Sequence, residues 1–395
     1  MNHRLKPVIV SAVRTPIGSF SGAFSSIPAT QLGSCSIAGA LKCVQIPPER
    51  VDAVYMGCVL GAGLGQAPAR QASIGAGIPH AVGAVTVNKV CGSSLQTAIM
   101  AAQAIMLGEA QIVVAGGMEN MTRAPYLLDK ARQGYRLGHG EVMDSLIKDG
   151  LWDVYNDFHM GDCGELCASK YQLTRQEVDD FALESYRRTR DAMAAGTFRQ
   201  ELVPVIVQQR KGPAVTVSED EEPNRVDLRK LRDLKPVFQE NGVLTVGNSP
   251  SCNDGAAALV IMSEEEAARL GLTPLARIVG YAGAALAPEW FTIAPVEAIG
   301  RVLRATRLSI ADIDLFEINE AFSSVSLAIN RELRLDAKKV NINGGAVALG
   351  HPIGATGARI LTTLLHAMAA RGVRRGLAGL CIGGGEALAM IVERD

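Results

Sequence analysis

The feature that most constrains the fold is an internal repeat of one α/β unit. In the first copy an apolar stretch ends at Val87-Asn88. It is followed by a glycine-containing turn, a helix of small residues and a second apolar stretch, which ends in Gly116-Gly117-Met118-Glu119. The second copy runs from Val340-Asn341 to Gly383-Gly384-Gly385-Glu386. Such a duplication predicts two similar α/β halves whose equivalent turns face one cleft.

The remaining stretches indicate how the chain is divided. Apolar strands alternate with helices, which is typical of a parallel or mixed sheet covered on both faces. After Met121 the composition shifts to aromatic residues, charged helices and polar turns, as in an inserted and more exposed region. We therefore predict an α/β protein with an N-terminal half, an inserted substrate-binding region and a C-terminal half. The N-terminal half is predicted to span residues 1–120 and to be completed by about 251–270. The inserted region is predicted to span residues 121–250, and the C-terminal half residues 271–395.

Composition excludes several classes of function. The 395 residues are 48% hydrophobic, enough for a large core, and the formal net charge of -1 argues against nucleic-acid binding that relies on bulk charge. The sequence shows no uninterrupted apolar segment of membrane-spanning length, so we expect no signal peptide, no membrane span and a cytoplasmic protein that binds no membrane. The eight cysteines form no C-x-x-C pair, which favours reduced thiols.

Cys91 lies in the turn of the first copy, within Asn88-Lys89-Val90-Cys91-Gly92-Ser93-Ser94. A cysteine between a strand and a helix is close to the positive end of the helix dipole, which lowers its pKa and favours the nucleophilic thiolate. Ser93 and Ser94 are placed to cap the helix. Since most free cysteines are buried and structural, this turn alone leaves both interpretations open.

The second copy carries two further candidates. His351 lies in a glycine-dense loop over residues 344–357, and Cys381 precedes three glycines. With Cys91, these residues suggest one site assembled from three loops.

Two other patterns point away from bound cofactors. The loop at residues 61–66 lacks the glycine spacing and the acidic residue of a dinucleotide-binding fingerprint. His159, Cys163 and Cys167 are spaced along one helical stripe without a fourth ligand nearby, so we expect no metal site.

Four separated motifs carry a resemblance over essentially the whole chain. They are N-K-V-C-G-S-S at 88–94, N-E-A-F at 319–322, G-G-A-V-A-L-G-H-P-I-G-A-T-G at 344–357 and C-I-G-G-G at 381–385. Their order resembles the thiolase family, the acetyl-CoA C-acyltransferases. The resemblance implies two α/β halves with a loop domain inserted in the first, coenzyme A as substrate and product with no permanently bound cofactor, a role in fatty acid metabolism, and a homo-oligomer, a tetramer or a dimer.

The resemblance also implies a role for each site residue. His351 activates Cys91, which is acylated, and Cys381 removes the α-proton of a second acyl-CoA. Asn319, through a bound water, and His351 form one oxyanion hole, while the backbone N–H groups of Cys91 and Gly383 form the other. The reaction is the reversible condensation of two acetyl-CoA to acetoacetyl-CoA and CoA, or thiolysis of a 3-ketoacyl-CoA.

Three residues are candidates for binding coenzyme A. His159 fits the short-chain members of the family. The family has a serine that touches the pantetheine of coenzyme A where this chain has Pro250, and Ser251 is the next residue. Arg225 begins a basic cluster that is either a solvated helix face or an anion-binding face for a phosphorylated substrate. The other members of the cluster are Arg229, Lys230, Arg232 and Lys235.

Four alternatives remain open at this point. A longer-chain 3-ketoacyl-CoA thiolase differs only in acyl preference. The sequence does not decide this preference, because Phe291 stands where short-chain members often have methionine. Ketoacyl synthases have a histidine or an asparagine where this chain has Cys381. A non-catalytic acyl-CoA or lipid-binding relative would lack a reactive residue, and a nicotinamide oxidoreductase would need the fingerprint that is missing. Ala387 replaces a family glycine after the last motif.

Overall fold

The fold is built on one mixed sheet, in a computed structural model that describes residues 5–395. The strands are β1 (Pro7–Arg14), β2 (Gly18–Ser19), β3 (Ala53–Gly57), β4 (Gly83–Val87), β5 (Ile112–Asn120), β6 (Tyr126–Leu127), β7 (Met143–Asp144), β8 (Trp152–Asp153), β9 (Phe158–His159), β10 (Val205–Val207), β11 (Val215–Val217), β12 (Asn253–Ser263), β13 (Ala276–Ala285), β14 (Leu315–Ile318), β15 (Arg375–Ile382) and β16 (Glu386–Glu393).

Helices cover the sheet and connect its strands. The α-helices are α1 (Ala29–Cys43), α2 (Pro68–Gly75), α3 (Ser93–Leu107), α4 (Met160–Lys170), α5 (Arg175–Ala194), α6 (Glu264–Arg269), α7 (Ala294–Thr306), α8 (Ser323–Leu333), α9 (Ala346–Leu349) and α10 (Thr356–Arg371).

The strand order shows the two halves of the sheet. It is β14-β15-β16-β13-β1-β12-β5-β3-β4, and β2 pairs with β12. The halves meet where β1 and β13 pair antiparallel, with Val8 opposite Arg277 and Ile9 opposite Ala276. The predicted α/β fold is confirmed, whereas the predicted domain bounds stay a prediction.

The side chains of the strands divide the interior into layers. Successive residues of a strand face opposite sides. In β5, Val113 and Ala115 pack in a central core with α3 and α10, whereas Ile112 and Val114 pack in an outer core with α1 and α2. The outer face of the C-terminal half packs against α7 and α8. The result is five layers, in which the two halves of the sheet each lie between the paired central helices and an outer layer of helices.

The paired central helices bring the two repeat copies together. Ser94 Oγ, at the start of α3, accepts the backbone N–H of Ala358 in α10 at 2.9 Å. A Cβ on Gly357 would collide with the backbone of Leu95, so glycine permits this close approach. Neither Ser93 nor Ser94 caps α3, so that expectation is wrong. Both turns that precede these helices therefore lie at the same end of the molecule.

The first of these helices lies within the one helical segment of the described chain that is long and apolar enough to cross a membrane. The 18-residue stretch Val90–Leu107 has a mean hydropathy of 1.4, and by length and composition it could cross a membrane. Of this stretch, 61% is buried inside the protein, because α3 packs in the central core. A core helix accounts for this segment.

Candidate active site

The predicted residues of the three loops meet at one cavity. Cys91, His351 and Gly383 all line a cavity of 290 Å³, as do His159 and Ser251 from the region between them. Much of the remaining lining is apolar and includes Met160, Phe238, Phe291, Phe322 and Ile353. An apolar cavity with a few convergent polar groups is typical of a small-molecule site.

Local hydrogen bonds shape the turn that carries Cys91. Val90 has a left-handed backbone with φ of 45°, which costs a β-branched residue about 1–3 kcal/mol. Asn88 Oδ1 accepts the Val90 N–H at 3.0 Å, and Ser93 Oγ donates to the Val90 carbonyl at 2.6 Å. These side chains stabilise the turn that presents Cys91 at the start of α3.

The surroundings of Cys91 keep its thiol protonated. Burial raises the pKa of Cys91 to about 11, and the carboxylate of Glu119 adds to this shift. The backbone N–H groups of Gly383 and of Cys91 itself lower the pKa, but by less. The expectation that the helix terminus favours a resting thiolate is therefore wrong, because burial outweighs it.

The same two N–H groups favour negative charge beside Cys91. One comes from each half of the protein, and both lower the pKa of the thiol. The turn that supplies the Gly383 N–H needs glycine, since Gly384 and Gly385 have φ of 89° and 94°. Ala387 lies beyond this turn in β16, paired with Cys381 in regular extended structure, so it leaves the turn intact.

His351 is held as a neutral base. It is buried, and its Nδ1 lies 2.7 Å from Thr356 Oγ1. Its Nε2 is buried and has no hydrogen-bond partner among residues 5–395. Burial, and then the positive charge of Arg359, lowers the pKa of His351 to about 3. A neutral imidazole at the cavity can accept a proton from a thiol.

Three buried side chains from elsewhere in the chain fix the His351 loop. Glu320 accepts the N–H of Val347 at 3.0 Å, Asn253 accepts the N–H of His351 at 2.9 Å, and Glu119 accepts the N–H of Gly354 at 2.9 Å. These roles were not predicted from the sequence, although Glu119 and Glu320 stand in motifs that were singled out there. Their contacts are between positions far apart in sequence, and no local pattern reveals them.

Cys381 and Asn319 lie behind the cavity surface. Cys381 is 1% exposed, and burial, together with the nearby Cys91, raises its pKa well above the usual range. Asn319 is also buried, and both Nδ2 and Oδ1 lack hydrogen-bond partners in the described part of the chain. Because buried amides are almost always paired, the Asn319 side chain fits an ordered water or a substrate oxygen.

The three candidates for binding coenzyme A differ in position. His159 stacks on Phe238 with ring centroids 5.1 Å apart, and its Nδ1 accepts the Gly161 N–H at the start of α4. Ser251 Oγ donates to Asn253 Oδ1 at 2.9 Å. Arg225 does not line the cavity, and its exposed side chain lies 3.5 Å from Glu221.

One ion pair connects the two turns that flank the N–H donors. Lys89, two residues before Cys91, pairs with Glu386, which follows the Gly383-Gly384-Gly385 turn. Both side chains are partly exposed. The pair therefore links the first repeat copy to the end of the second beside the site.

Comparison with known proteins shows the same family over both halves. Family models described as the thiolase N-terminal and C-terminal domains match residues 7–265 and 272–394. Acetyl-CoA acetyltransferase 2 of Arabidopsis thaliana is 51% identical over 387 residues, 98% of this chain and 96% of that protein. Acetyl-CoA acetyltransferase of Escherichia coli (strain K12) is 52% identical over 389 residues, 98% of each chain.

A solved structure agrees with the observed fold. The crystal structure of the Bacillus anthracis acetyl-CoA acetyltransferase matches with a TM-score of 0.97 and 41% identity, over 100% of both chains. The chain belongs to the thiolase family, as predicted from its motifs. Within that family it is an acyltransferase enzyme with thiolase activity, which confirms the predicted class of function.

Proposed function

We propose that the protein catalyses the reversible condensation of two acetyl-CoA molecules to acetoacetyl-CoA and coenzyme A through an acetyl-Cys91 intermediate. The observation that carries the proposal is the single cavity that Cys91, His351 and Gly383 all line, where the N–H groups of Cys91 and Gly383 favour negative charge at the thiol. The names of the relatives favour acetyl-CoA over longer acyl chains and over a non-catalytic binding protein.

The first half-reaction transfers an acetyl group to Cys91. The neutral His351 accepts the thiol proton at Nε2 as the sulfur attacks the thioester carbonyl of acetyl-CoA. The N–H groups of Cys91 and Gly383 stabilise the negative charge that develops on the carbonyl oxygen. The carbon–sulfur bond to coenzyme A then breaks, and His351 returns the proton to the departing thiolate.

The second half-reaction forms the carbon–carbon bond. Cys381 first passes its thiol proton to the neutral Nε2 of His351, and the resulting thiolate removes the α-proton of a second acetyl-CoA, whose carbanion attacks the acetyl group on Cys91. The amide of Asn319, which is unpaired within residues 5–395, acts through a bound water, and the Nε2–H of His351 now donates with it to the enolate oxygen. Collapse of the adduct releases acetoacetyl-CoA and the Cys91 thiolate, which takes the proton held by His351, while Cys381 keeps the α-proton as its thiol proton. Thiolysis follows the same steps in reverse.

Coenzyme A extends from the cavity past His159 and Ser251 to the basic surface that includes Arg225. Pro250 offers no hydroxyl, so the contact to pantetheine falls to Ser251 beside it. Since Arg225 is exposed, it contributes a screened attraction to phosphate. We expect Arg225→Glu to raise the KM for acetyl-CoA about threefold to tenfold at low salt with kcat unchanged. The exposed Lys211→Glu is the control, and an unchanged KM for Arg225→Glu would remove Arg225 from the binding surface.

The lining of the cavity favours a short acyl group. Phe291 and Phe322 are both buried and occupy the wall with Met160. A small volume closed by aromatic side chains supports acetyl and acetoacetyl substrates. We further infer a cytoplasmic homo-oligomer, a tetramer or a dimer, that acts in fatty acid metabolism; the family resemblance supports the assembly.

A steady-state assay tests the activity and its chain length together. Cleavage of acetoacetyl-CoA by free coenzyme A is compared with cleavage of a longer 3-ketoacyl-CoA, and Phe291→Met is measured beside the wild type. We expect a kcat/KM for acetoacetyl-CoA at least about tenfold above that for the longer substrate. Preference for the longer substrate would favour the long-chain alternative, and no cleavage of either would overturn the proposal.

A further inference from the structure

Thr356 makes two polar contacts at the first residue of α10. Its Oγ1 lies 2.7 Å from His351 Nδ1 and 2.9 Å from the carbonyl oxygen of Pro352. Thr356 is completely buried. The hydroxyl therefore stands between the imidazole ring and the backbone of the same loop, shielded from solvent.

A count of protons decides which group donates. The hydroxyl has one proton and two neighbouring acceptor atoms. If it donates to Pro352, its lone pair must accept a proton from His351 Nδ1. In the opposite arrangement the hydroxyl donates to His351 Nδ1. The ring proton is then on Nε2, which has no acceptor within residues 5–395. Buried donors without partners are rarer than buried acceptors without partners, so the first arrangement is favoured.

We propose that Thr356 is a positioning residue that fixes neutral His351 with its proton on Nδ1, leaving the Nε2 lone pair free at the cavity that Cys91 lines. This proposal rests on the proposed role of His351 as the base for Cys91. Asn253 fixes only the backbone N–H of His351, and Thr356 provides the hydrogen bond to the ring. The threonine thus selects the form of the ring that can accept the thiol proton.

The test compares hydroxyl removal with hydroxyl retention at this position. Thr356→Val deletes the hydroxyl at nearly constant volume, and Thr356→Ser keeps it. Thr362→Val is a matched control, because Thr362 is a fully buried threonine of α10 whose Oγ1 has no hydrogen-bond partner in the described chain. Alkylation of Cys91 by iodoacetamide, quantified by peptide mapping across a range of pH, reports proton removal without needing an acyl-CoA.

The expected signature is a loss confined to neutral pH. Thr356→Val should slow alkylation at pH 7 by at least about tenfold, because base assistance is lost. At about pH 10, where hydroxide deprotonates the thiol directly, its rate should approach that of the wild type. Thr356→Ser and Thr362→Val should stay within about threefold of the wild type throughout. If Thr356→Val does not fold, Thr356→Ala makes the same comparison without added bulk.

Three results would overturn the proposal. They are a wild-type alkylation rate at pH 7 in Thr356→Val, an equal loss at every pH, and no rescue by Thr356→Ser. Cleavage of acetoacetyl-CoA by the wild type is measured in parallel. If the wild type does not cleave acetoacetyl-CoA but the variants show the predicted alkylation pattern, the proposed reaction is rejected and the role of Thr356 is kept. If the wild type cleaves acetoacetyl-CoA but the alkylation pattern is absent, only the role of Thr356 is rejected.

Discussion

The two copies of the repeat build their active-site segments in different ways. The turn before α3 is short, and contacts within Asn88–Ser93 hold Cys91 in place. The loop before α10 is longer, and side chains from three distant parts of the chain fix it around His351. The nucleophile thus depends on local structure, whereas the base depends on the assembled fold.

This difference explains how one duplicated unit can provide two chemical functions. The short turn places a sulfur at the start of a helix, close to two backbone N–H donors. The extra length of the second loop allows an imidazole to reach the same cavity from the other half. Substitutions should therefore affect acylation, the second half-reaction and stability separately.

The largest effect that distinguishes the halves is expected from Cys381→Ala. Condensation should fall by about 10²-fold to 10⁴-fold, because a general base is removed. Acetylation of Cys91 should continue, since that half-reaction uses His351. Acetoacetyl-CoA formation and the acetyl-enzyme are measured on the same sample, with Cys163→Ala as a buried-cysteine control. Condensation at the wild-type rate would assign the second base elsewhere.

The next effect tests the dependence of the His351 loop on distant side chains. Glu119 accepts the N–H groups of Val59, Leu60 and Gly354. Glu119→Ala leaves these buried donors unpaired, so we expect the free energy of unfolding to fall by at least about 3 kcal/mol. Asn88→Ala, which removes a local bond in the Cys91 turn, should cost about 1 kcal/mol. Urea unfolding measures both, and equal losses would contradict the proposed difference.

The pH dependence of Cys91 reactivity tests the protonation of the resting site. Burial raises the pKa of Cys91 to about 11 and lowers that of His351 to about 3, so thiol and imidazole are both neutral between these values. Wild-type alkylation should change little with pH around neutrality, where His351 assists a protonated thiol, and should accelerate towards about pH 10 as the thiolate fraction grows. A rate that does not rise between about pH 8 and pH 10 would indicate a thiolate–imidazolium pair instead.

The smallest effect concerns the ion pair between the two turns. Because Lys89 and Glu386 are partly exposed, their attraction should contribute no more than about 1 kcal/mol. Lys89→Glu and Glu386→Lys should each lower the free energy of unfolding slightly, and the double exchange should recover most of the loss. A double-mutant cycle in low salt measures the coupling. Additive losses would show that the two turns are not linked through this pair.

The sequence predicted the elements near the site better than the contacts between them. A helix of small residues was expected directly after the Cys91 turn, and α3 runs from Ser93 to Leu107. Hydrophobic periodicity and turn residues report neighbours a few positions apart, and these shape the Cys91 turn. The contact of Glu119 with Gly354 spans 235 positions, so no local pattern reveals it. The pKa of Cys91 was predicted in the wrong direction because its burial is a tertiary property.

Intact-protein mass spectrometry after mixing with acetyl-CoA tests the central claim most directly. The account predicts the addition of one acetyl group, mapped to the peptide that contains Cys91, and no such adduct on Cys91→Ala. The adduct should disappear when free coenzyme A is added, because acyl transfer is reversible. An acetyl group mapped to another residue, or one that persists on Cys91→Ala, would contradict the assignment of Cys91 as the nucleophile.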